Sequence, residues 1–538
     1  MGVSTTRPPA GNPHRDTQPP MPRHFNTTGP CDPADHYMLA PERRLPDLLP
    51  FVEQKLYFVI HAARQTGKTT AMRAFATRLR GLGYAAVHAT LEECQGMEAL
   101  DDAEPIWLAA IEDAAAAQLP AAHHPPGRAV YLDREPGTRL RQWLGAWSHQ
   151  QAPRRVVLLL DEADIVSGPA LISLLRQLRA GFLDRPERFP ASVALIGMQE
   201  LRDYLAHAKD GSPVNPGSPF NIKAESLTLR NFTEEEVGEL YTQHTDDTGQ
   251  AFEPAAVARA FYWTQGQPFL VNALARRAVT DLVTDRRVPI TAACIDEAKE
   301  ALIRSRTTHL YSLTERLREP RVARIVQAVL TGDLQIPYDH EDWQYVVDLG
   351  LLREGRDGAE AANPLYREVL ARQLTYNLQK NLPEPRYRWL TPEGRLDFLA
   401  LVTTFLLWWR ENGDVLPDDV PLYPEAVPHL SFMAYLQKVV NGGGQVHREY
   451  AANRRALDLL VVYGPDRFVV EVKRVRDRDT LETVRQAAIV QTLAYLDELG
   501  EHEGWILIFD QRKKRTWKQR LWTETVERDG HLLHLFGG

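Results

Sequence analysis

Between Leu56 and Gly197, short apolar runs alternate with stretches of helical period. The runs are "LYFVIHA", "AAVHATL", "VVLLLDEAD" and "SVALIGM", and "TTAMRAFATRLRGL" is the clearest helical stretch. This alternation predicts an α/β fold with a parallel sheet. From Thr233 to about Arg318 the pattern is helical throughout. From Arg321 to Leu374 it predicts short helices followed by a small β-wing in "LGLLREGRDGAEAANPLY". Farther on, "RALDLLVVYGPDRFVVEVKR" (Arg455–Arg474) holds two apolar runs around turn residues, the mark of a hairpin. "LDFLALVTTFLLWW" (Leu396–Trp409) is shorter than a bilayer span and predicts a buried helix rather than a membrane segment. Residues 1–22, rich in Pro, Thr and Arg, read as a disordered tail. Two loop-like breaks, "KDGSPVNPGSPF" (Lys209–Phe220) and "LQKNLPEPRYRW" (Leu378–Trp389), separate the patterned regions. No internal repeat is visible.

Length and charge bound the possibilities. At 538 residues the chain is too long for one core, and several domains are expected. Its formal net charge of -8 does not announce a nucleic-acid partner, so such a site must rest on a local basic patch. Two such patches stand out: "FDQRKKRTWKQRLW" (Phe509–Trp522), with Trp517 and Trp522 interleaved, and "HREYAANRR" (His447–Arg455). Cys31, Cys94 and Cys294 lie far apart. That argues against a disulfide framework and against a zinc site built from cysteine pairs, and it suits a cytoplasmic location. The first residues lack the layout of a signal peptide.

"HAARQTGKTT" (His61–Thr70) follows an apolar run and opens a helical one. That setting brings backbone N–H groups and a helix N-terminus to a polyphosphate. Gly67 allows close approach, Lys68 reaches the β- and γ-phosphates, and Thr69, followed by Thr70, is placed to hold Mg²⁺. Ala62 stands where the usual pattern has Gly. "RRVVLLLDEAD" reads as a strand buried on both faces, ending in Asp161 and Glu162. Asp161 is the candidate for the Mg²⁺ shell and Glu162 for orienting the attacking water. Together the two motifs predict an ATP site. Gln199 and Arg202, after the next apolar run, are candidates for the neighbourhood of the γ-phosphate.

The charges in the predicted hairpin are unusual for so apolar a stretch. A symmetric turn on Pro465-Asp466 pairs Asp458 with Lys473 and Leu460 with Glu471. Period-two alternation then gathers Asp458, Glu471 and Lys473 on one face. Two hard carboxylates and a lysine suit Mg²⁺-assisted phosphodiester hydrolysis: the acids bind the metal, and Lys473 positions water or stabilises charge on the phosphate. Read alone, the same residues also suit a salt bridge. In "QTLAYLD", Gln491 and Tyr495 are four apart and share a helical face.

The segment from about Phe25 to Leu374 resembles the AAA-like, signal-transducing (STAND-type) P-loop ATPases of prokaryotes through "ARQTGKTT", "LLLDEAD" and "TQGQPFLVNALA". The resemblance implies that Gly266 and Pro268, a glycine-x-proline element, lie near the nucleotide. It also implies a nucleotide-controlled switch able to form homo-oligomers. Residues 390–538 resemble the PD-(D/E)XK nucleases of RecB type through Asp458, Glu471-x-Lys473 and Gln491-x-x-x-Tyr495. That resemblance implies an extra acid in or near "EAVPHLSFMAYLQKVV", with Glu425 the candidate. The domains expected are an ATPase core at 23–230, a helical lid at 231–310, a winged helix at 311–378 and a restriction-endonuclease-like α/β domain at 385–538. The function expected is ATP-controlled, Mg²⁺-dependent DNA cleavage, in defence against foreign DNA or in DNA repair. The alternatives are an ATP-gated DNA-binding regulator without cleavage and an ATP-driven enzyme that translocates while cutting.

Overall fold

The computed structural model describes residues 22–166, 168–197, 223–305, 308–330, 339–355, 358–381, 389–412, 427–440, 444–452, 455–512 and 515–538. Residues 1–21 and 198–222, and the candidates Gln199, Arg202 and Glu425, lie outside the described residues. Among the described residues, no helix is long and apolar enough to cross a membrane. The chain divides into two compact units. One comprises residues up to Ile60, Gln65–Ile196 and the described residues from Lys223 through Leu302; the other comprises His61–Arg64, Gly197 and the described residues from Ile303 on.

The first unit is built on strands β1 (Tyr57–His61), β2 (Ala85–Thr90), β3 (Val156–Asp161), β4 (Ser192–Gly197) and β5 (Lys223–Thr228). Their order is β2-β3-β4-β1-β5, with β2, β3 and β4 parallel. Every residue of β3 and β4 is buried, which explains why these strands read as unbroken apolar runs. The helix Lys68–Gly81 lays Ala71, Met72, Phe75, Ala76 and Leu79 on the sheet against Phe58, Ile60, Val157, Leu159 and Ala194. β5 is not anticipated by the sequence pattern. Its polar "KAESLT" suits the edge of the sheet, where only one side is paired. The helical region follows with Glu234–Thr248, Pro254–Thr264, Pro268–Arg277 and Ala292–Arg304. A capping box formed by Thr233 and Glu236 opens the first of these helices.

The second unit holds the helices Thr308–Glu315, Pro320–Leu330 and His340–Asp348, then the antiparallel pair β6 (Leu352–Gly355) and β7 (Gly358–Ala361), then the helix Pro364–Asn381. The first helix crosses the expected boundary at 310, and the last runs past Leu378. Three further helices, Phe398–Asn412, Val427–Val440 and Leu481–Leu499, accompany a six-stranded sheet. Its strands are β8 (Gly444–Ala452), β9 (Arg455–Tyr463), β10 (Asp466–Val475), β11 (Glu503–Asp510), β12 (Trp522–Arg528) and β13 (His531–Gly537). Their order is β12-β13-β11-β10-β9-β8. β8, β9 and β10 form an antiparallel meander, and the helix Leu481–Leu499 then crosses to β11, parallel to β10. One face of the sheet packs Leu460, Val469, Val475, Ile506 and Ile508 with Ala488, Leu493 and Tyr495 of that helix. Aromatic contacts join the helix Phe398–Asn412 to the sheet: Phe398 stacks on Phe468 at 4.5 Å, and Trp409 meets Phe509 edge-on at 5.6 Å. From Phe398 the apolar stretch is a helix that buries one face, Phe398, Leu401, Val402, Phe405, Leu406 and Trp409, and leaves Leu399 and Leu407 about half exposed.

The hairpin register differs from expectation. β9 and β10 pair Tyr463 with Asp466, Leu460 with Val469 and Leu459 with Val470. The two turn residues are thus Gly464 and Pro465, not Pro465 and Asp466. Gly464 takes a left-handed φ of 57° that glycine adopts without a Cβ penalty. Asp466 is claimed by the strand because Arg395 holds its buried carboxylate through Nε at 3.0 and 3.1 Å. Leu460 therefore faces Val469 rather than Glu471. Continued one step beyond the last of these pairs, the register would bring Asp458 across from Glu471 rather than Lys473. A slip of two residues preserves the alternation along β10, so Glu471 and Lys473 keep a common face while the paired residues change.

Candidate functional sites

The phosphate loop leaves β1 and enters the helix Lys68–Gly81 through two left-handed residues, Gln65 (φ 57°) and Gly67 (φ 89°). Ala62 is buried and has no positive φ, so the residue standing for the usual first glycine carries no such strain. Lys68 is buried at the helix start. Thr69 Oγ1 donates to Asp161 Oδ2 at 2.7 Å. Thr70 turns elsewhere: its hydroxyl oxygen accepts from the Cys31 amide at 3.1 Å.

Asp161 ends β3, nearly sealed from solvent at 1% exposure. Besides Thr69, His88 Nε2 lies 3.1 Å from Oδ2, and the Glu162 amide donates to Oδ1 at 3.0 Å. Burial by itself would raise the Asp161 carboxyl. The hydrogen bonds from His88 and Thr69, the His88 ring and the Glu162 amide outweigh burial and hold it below its ordinary range. Glu162 takes a left-handed φ of 54°, rare for a residue with a long side chain, so the chain turns sharply where it leaves the sheet. Thr69 and Asp161 place two hard oxygens side by side at the carboxyl end of a parallel strand. That chemistry fits Mg²⁺ accompanying a nucleotide.

The glycine-x-proline element lies beside this loop. The helix Pro254–Thr264 ends in two left-handed residues, Gln265 (φ 47°) and Gly266 (φ 72°), and Pro268 opens the next helix at its first position. A Cβ on Gly266 would lie 1.9 Å from the Phe232 carbonyl oxygen, so the position accepts only glycine. Between them, Gln267 reaches back to the loop, donating from Nε2 to the Gln65 carbonyl at 3.3 Å.

In the second unit, Glu471 and Lys473 fall between Val469 and Val475 on β10, so they share the face packed on the helix Leu481–Leu499. Glu471 is fully buried and forms an ion pair with Lys473, whose side chain is 28% exposed. On the helix, Gln491 Nε2 donates to the Tyr495 hydroxyl at 3.1 Å, as expected of residues four apart. Asp458 belongs to β9, but its side chain lies outside the described part, as do those of the "HREYAANRR" segment. Among the described residues, no group of three or more His, Cys, Asp or Glu is placed to hold a metal. In the other basic segment Arg512 is turned inward, donating to the buried Asp510 at 2.8 and 2.6 Å.

Residues 52–205 match the family model described as an AAA domain. The N-terminal region is an AAA-type, ATP-binding P-loop ATPase region. No curated protein sequence matches the chain. Among solved structures, the chain is similar to a Walker-type ATPase of Pyrococcus abyssi, at 15% identity and a TM-score of 0.45, covering 64% of this chain and 99% of that one. It is also similar to the ORC2 protein of Aeropyrum pernix, at 13% identity and a TM-score of 0.39 over 60% and 88% of the two chains. A third is the RuvB Holliday junction branch migration motor of Thermotoga maritima, at 15% identity and a TM-score of 0.32 over 60% and 90%.

Two residues of the AAA region's site carry no signal in the sequence: His88 and Gln267. Gln267 lies within the quoted "TQGQPFLVNALA", yet its type and spacing carry no signal. His88 is a polar position inside "AAVHATL", where an isolated histidine in a strand usually reads as packing.

Proposed function

We propose that this chain is an ATP-controlled, Mg²⁺-dependent DNA endonuclease, with the AAA-type region governing a nuclease domain at its C-terminal end. The observation that carries this reading is the placement of Glu471 and Lys473 on the one face of β10 that packs on the helix bearing the bonded pair Gln491 and Tyr495. Support comes from the β9–β10 register, which, if continued one step past its last pair Val470–Leu459, would bring Asp458 across from Glu471.

In this reading Asp458 and Glu471 hold Mg²⁺, which supplies charge neutralisation at the scissile phosphate and an activated water. Lys473, anchored by Glu471 yet open to solvent, positions the water or stabilises charge on the phosphate oxygens. Gln491 and Tyr495 line the same face and orient the substrate backbone. Glu425, from the segment before the helix Val427–Val440, adds a further acid. In the AAA region Lys68 binds the phosphates, Thr69 and Asp161 hold the nucleotide's Mg²⁺, and Glu162 orients the attacking water. Thr70, Gln199, Gly266 and Pro268 complete the nucleotide's surroundings. The segment from about Thr308 to Asn381, with its helices and two-stranded wing, serves as a winged helix. Homo-oligomer formation and a role in defence against foreign DNA or in DNA repair rest on resemblance alone, and a cytoplasmic setting on the three scattered cysteines.

The test is cleavage of supercoiled, linear and single-stranded DNA with Mg²⁺, with and without ATP, by wild type, Lys473→Ala and Lys68→Ala. Cutting that vanishes in Lys473→Ala supports the reading, and the Lys68→Ala lane gives the direction of control. DNA binding without cutting under every condition would favour an ATP-gated regulator. The Lys473–Glu471 ion pair favours that second reading, because a structural salt bridge needs no substrate.

A further inference from the structure

Arg44 is a buried cation with no part in the site as described so far. It ends the short 3-10 helix Pro41–Arg44, is 6% exposed, and aims its guanidinium at the outside of the phosphate loop. Nη2 donates to the Thr66 carbonyl at 2.6 Å, and Nη1 reaches the Arg230 carbonyl at 3.4 Å. The group also lies over the Phe232 ring at 4.8 Å, and a Cβ added to Gly67 would come within 2.9 Å of Nη2. Burial draws the guanidinium down to about 10, against the pull of Glu236.

Gln267 does the same to the neighbouring peptide, donating to the Gln65 carbonyl. Two consecutive carbonyls are thus held from outside by two side chains far apart in sequence. In a trans peptide the C=O and the following N–H point in opposite directions. Holding Gln65 O and Thr66 O therefore directs the Thr66 and Gly67 N–H groups away from Arg44 and Gln267. Successive N–H groups turned to one side form the concavity that receives an anion. The left-handed φ of Gln65, strained for a residue with a side chain, falls at the held peptide. The two clamps are also connected. The Phe232 amide donates to the Gly266 carbonyl at 2.9 Å, so the ring under Arg44 belongs to the segment that fixes Gln267.

We propose that Arg44 and Gln267 are positioning residues that set the phosphate loop in its anion-binding shape before nucleotide arrives. The pair makes the loop's shape depend on the seat of the glycine-x-proline element, so a nucleotide that tightens the loop also favours that seat. The inference rests only on the nucleotide-binding part of the proposed function.

The test uses the full chain with Mg²⁺: calorimetric Kd values for ATP and ADP, and thermal melting without nucleotide. Gln267→Glu carries most weight. It keeps the oxygen that caps the helix by accepting from the Leu270 amide at 2.6 Å, and it removes the Nε2 donor to Gln65. Gln267→Glu is expected to weaken ATP binding by about threefold to tenfold, the worth of one hydrogen bond, with the nucleotide-free melting temperature unchanged. Arg44→Met, which keeps the apolar stem and removes the donors, is expected to weaken binding further, and Arg44→Lys to recover part of the loss. Gln267→Glu protein that melts and binds ATP like wild type overturns the proposal even if Arg44→Met fails to fold. Lost melting temperature with unchanged Kd overturns it too, since that marks a purely structural role. Wild type that binds no ATP would sink the nucleotide-binding reading, and this inference with it.

Discussion

The Thr69 hydroxyl donates to Oδ2 of Asp161 across 2.7 Å, joining the phosphate-loop helix to the end of β3. The same oxygen takes His88 Nε2 from the neighbouring strand. A buried carboxylate with this many donors stays ionised, which is the state a divalent cation requires.

Asp161→Asn preserves shape and removes the charge. ATP hydrolysis is expected to fall by at least about a hundredfold, in line with the loss of an electrostatic group at a phosphoryl-transfer site. Stability is expected to change by only about 1 kcal/mol, because an amide still bonds two of the three partners. Phosphate release and a denaturant titration measure the two quantities. A rate within a few-fold of wild type would remove Asp161 from the nucleotide site.

Gly266→Ala tests the glycine-x-proline element by geometry alone. The added Cβ would sit 1.9 Å from the Phe232 carbonyl oxygen at a φ of 72°. Backbone must move, and Phe232 underlies Arg44. The variant is expected to lose about 3 kcal/mol or more, the range of severe overpacking and backbone strain, together with ATP affinity. A melting temperature within about 2 °C of wild type would show that this turn relaxes freely.

These two sites also show what a sequence can and cannot disclose. β3 and β4 are readable because a strand buried on both faces must be apolar throughout. The phosphate loop is readable because phosphate binding restricts several adjacent positions at once. β5 is not readable, since an edge strand such as "KAESLT" needs little apolar surface. The hairpin turn was misplaced by one residue because the partner that fixes Asp466, Arg395, stands 71 positions away. Arg44, His88 and Gln267 act on backbone carbonyls or on a carboxylate that only folding brings to them, and no local pattern marks them.

His309 gives the second unit a pH signature. It is buried with Nε2 2.6 Å from the Tyr366 hydroxyl. Burial, helped by the charge of Arg64, draws its pKa from 6.5 to about 4. A cationic acid whose folded pKa is depressed binds its proton more readily when unfolded. Stability is thus complete above about pH 6.5 and is lost as pH falls toward about 4, by up to about 3 kcal/mol. Melting curves across that window are expected to show a smaller acid loss in His309→Gln than in wild type. Parallel pH profiles for the two would mean that His309 titrates normally.

The pair Glu471 and Lys473 separates a metal site from a salt bridge without any cleavage assay. Glu471 is fully buried, while the Lys473 side chain keeps 28% of its exposure. Lys473→Met leaves the carboxylate buried without that partner, and is expected to cost about 1–3 kcal/mol. Glu471→Gln together with Lys473→Met removes both charges and should recover much of that loss, which a double-mutant cycle measures. Both readings share this result. They part when Mg²⁺ is added. If Asp458 and Glu471 bind the cation, millimolar Mg²⁺ should raise the melting temperature of Lys473→Met more than that of the double variant, because binding to the folded state stabilises it by mass action. Equal responses to Mg²⁺ in the two variants would leave Glu471 and Lys473 as a structural ion pair and favour the DNA-binding regulator.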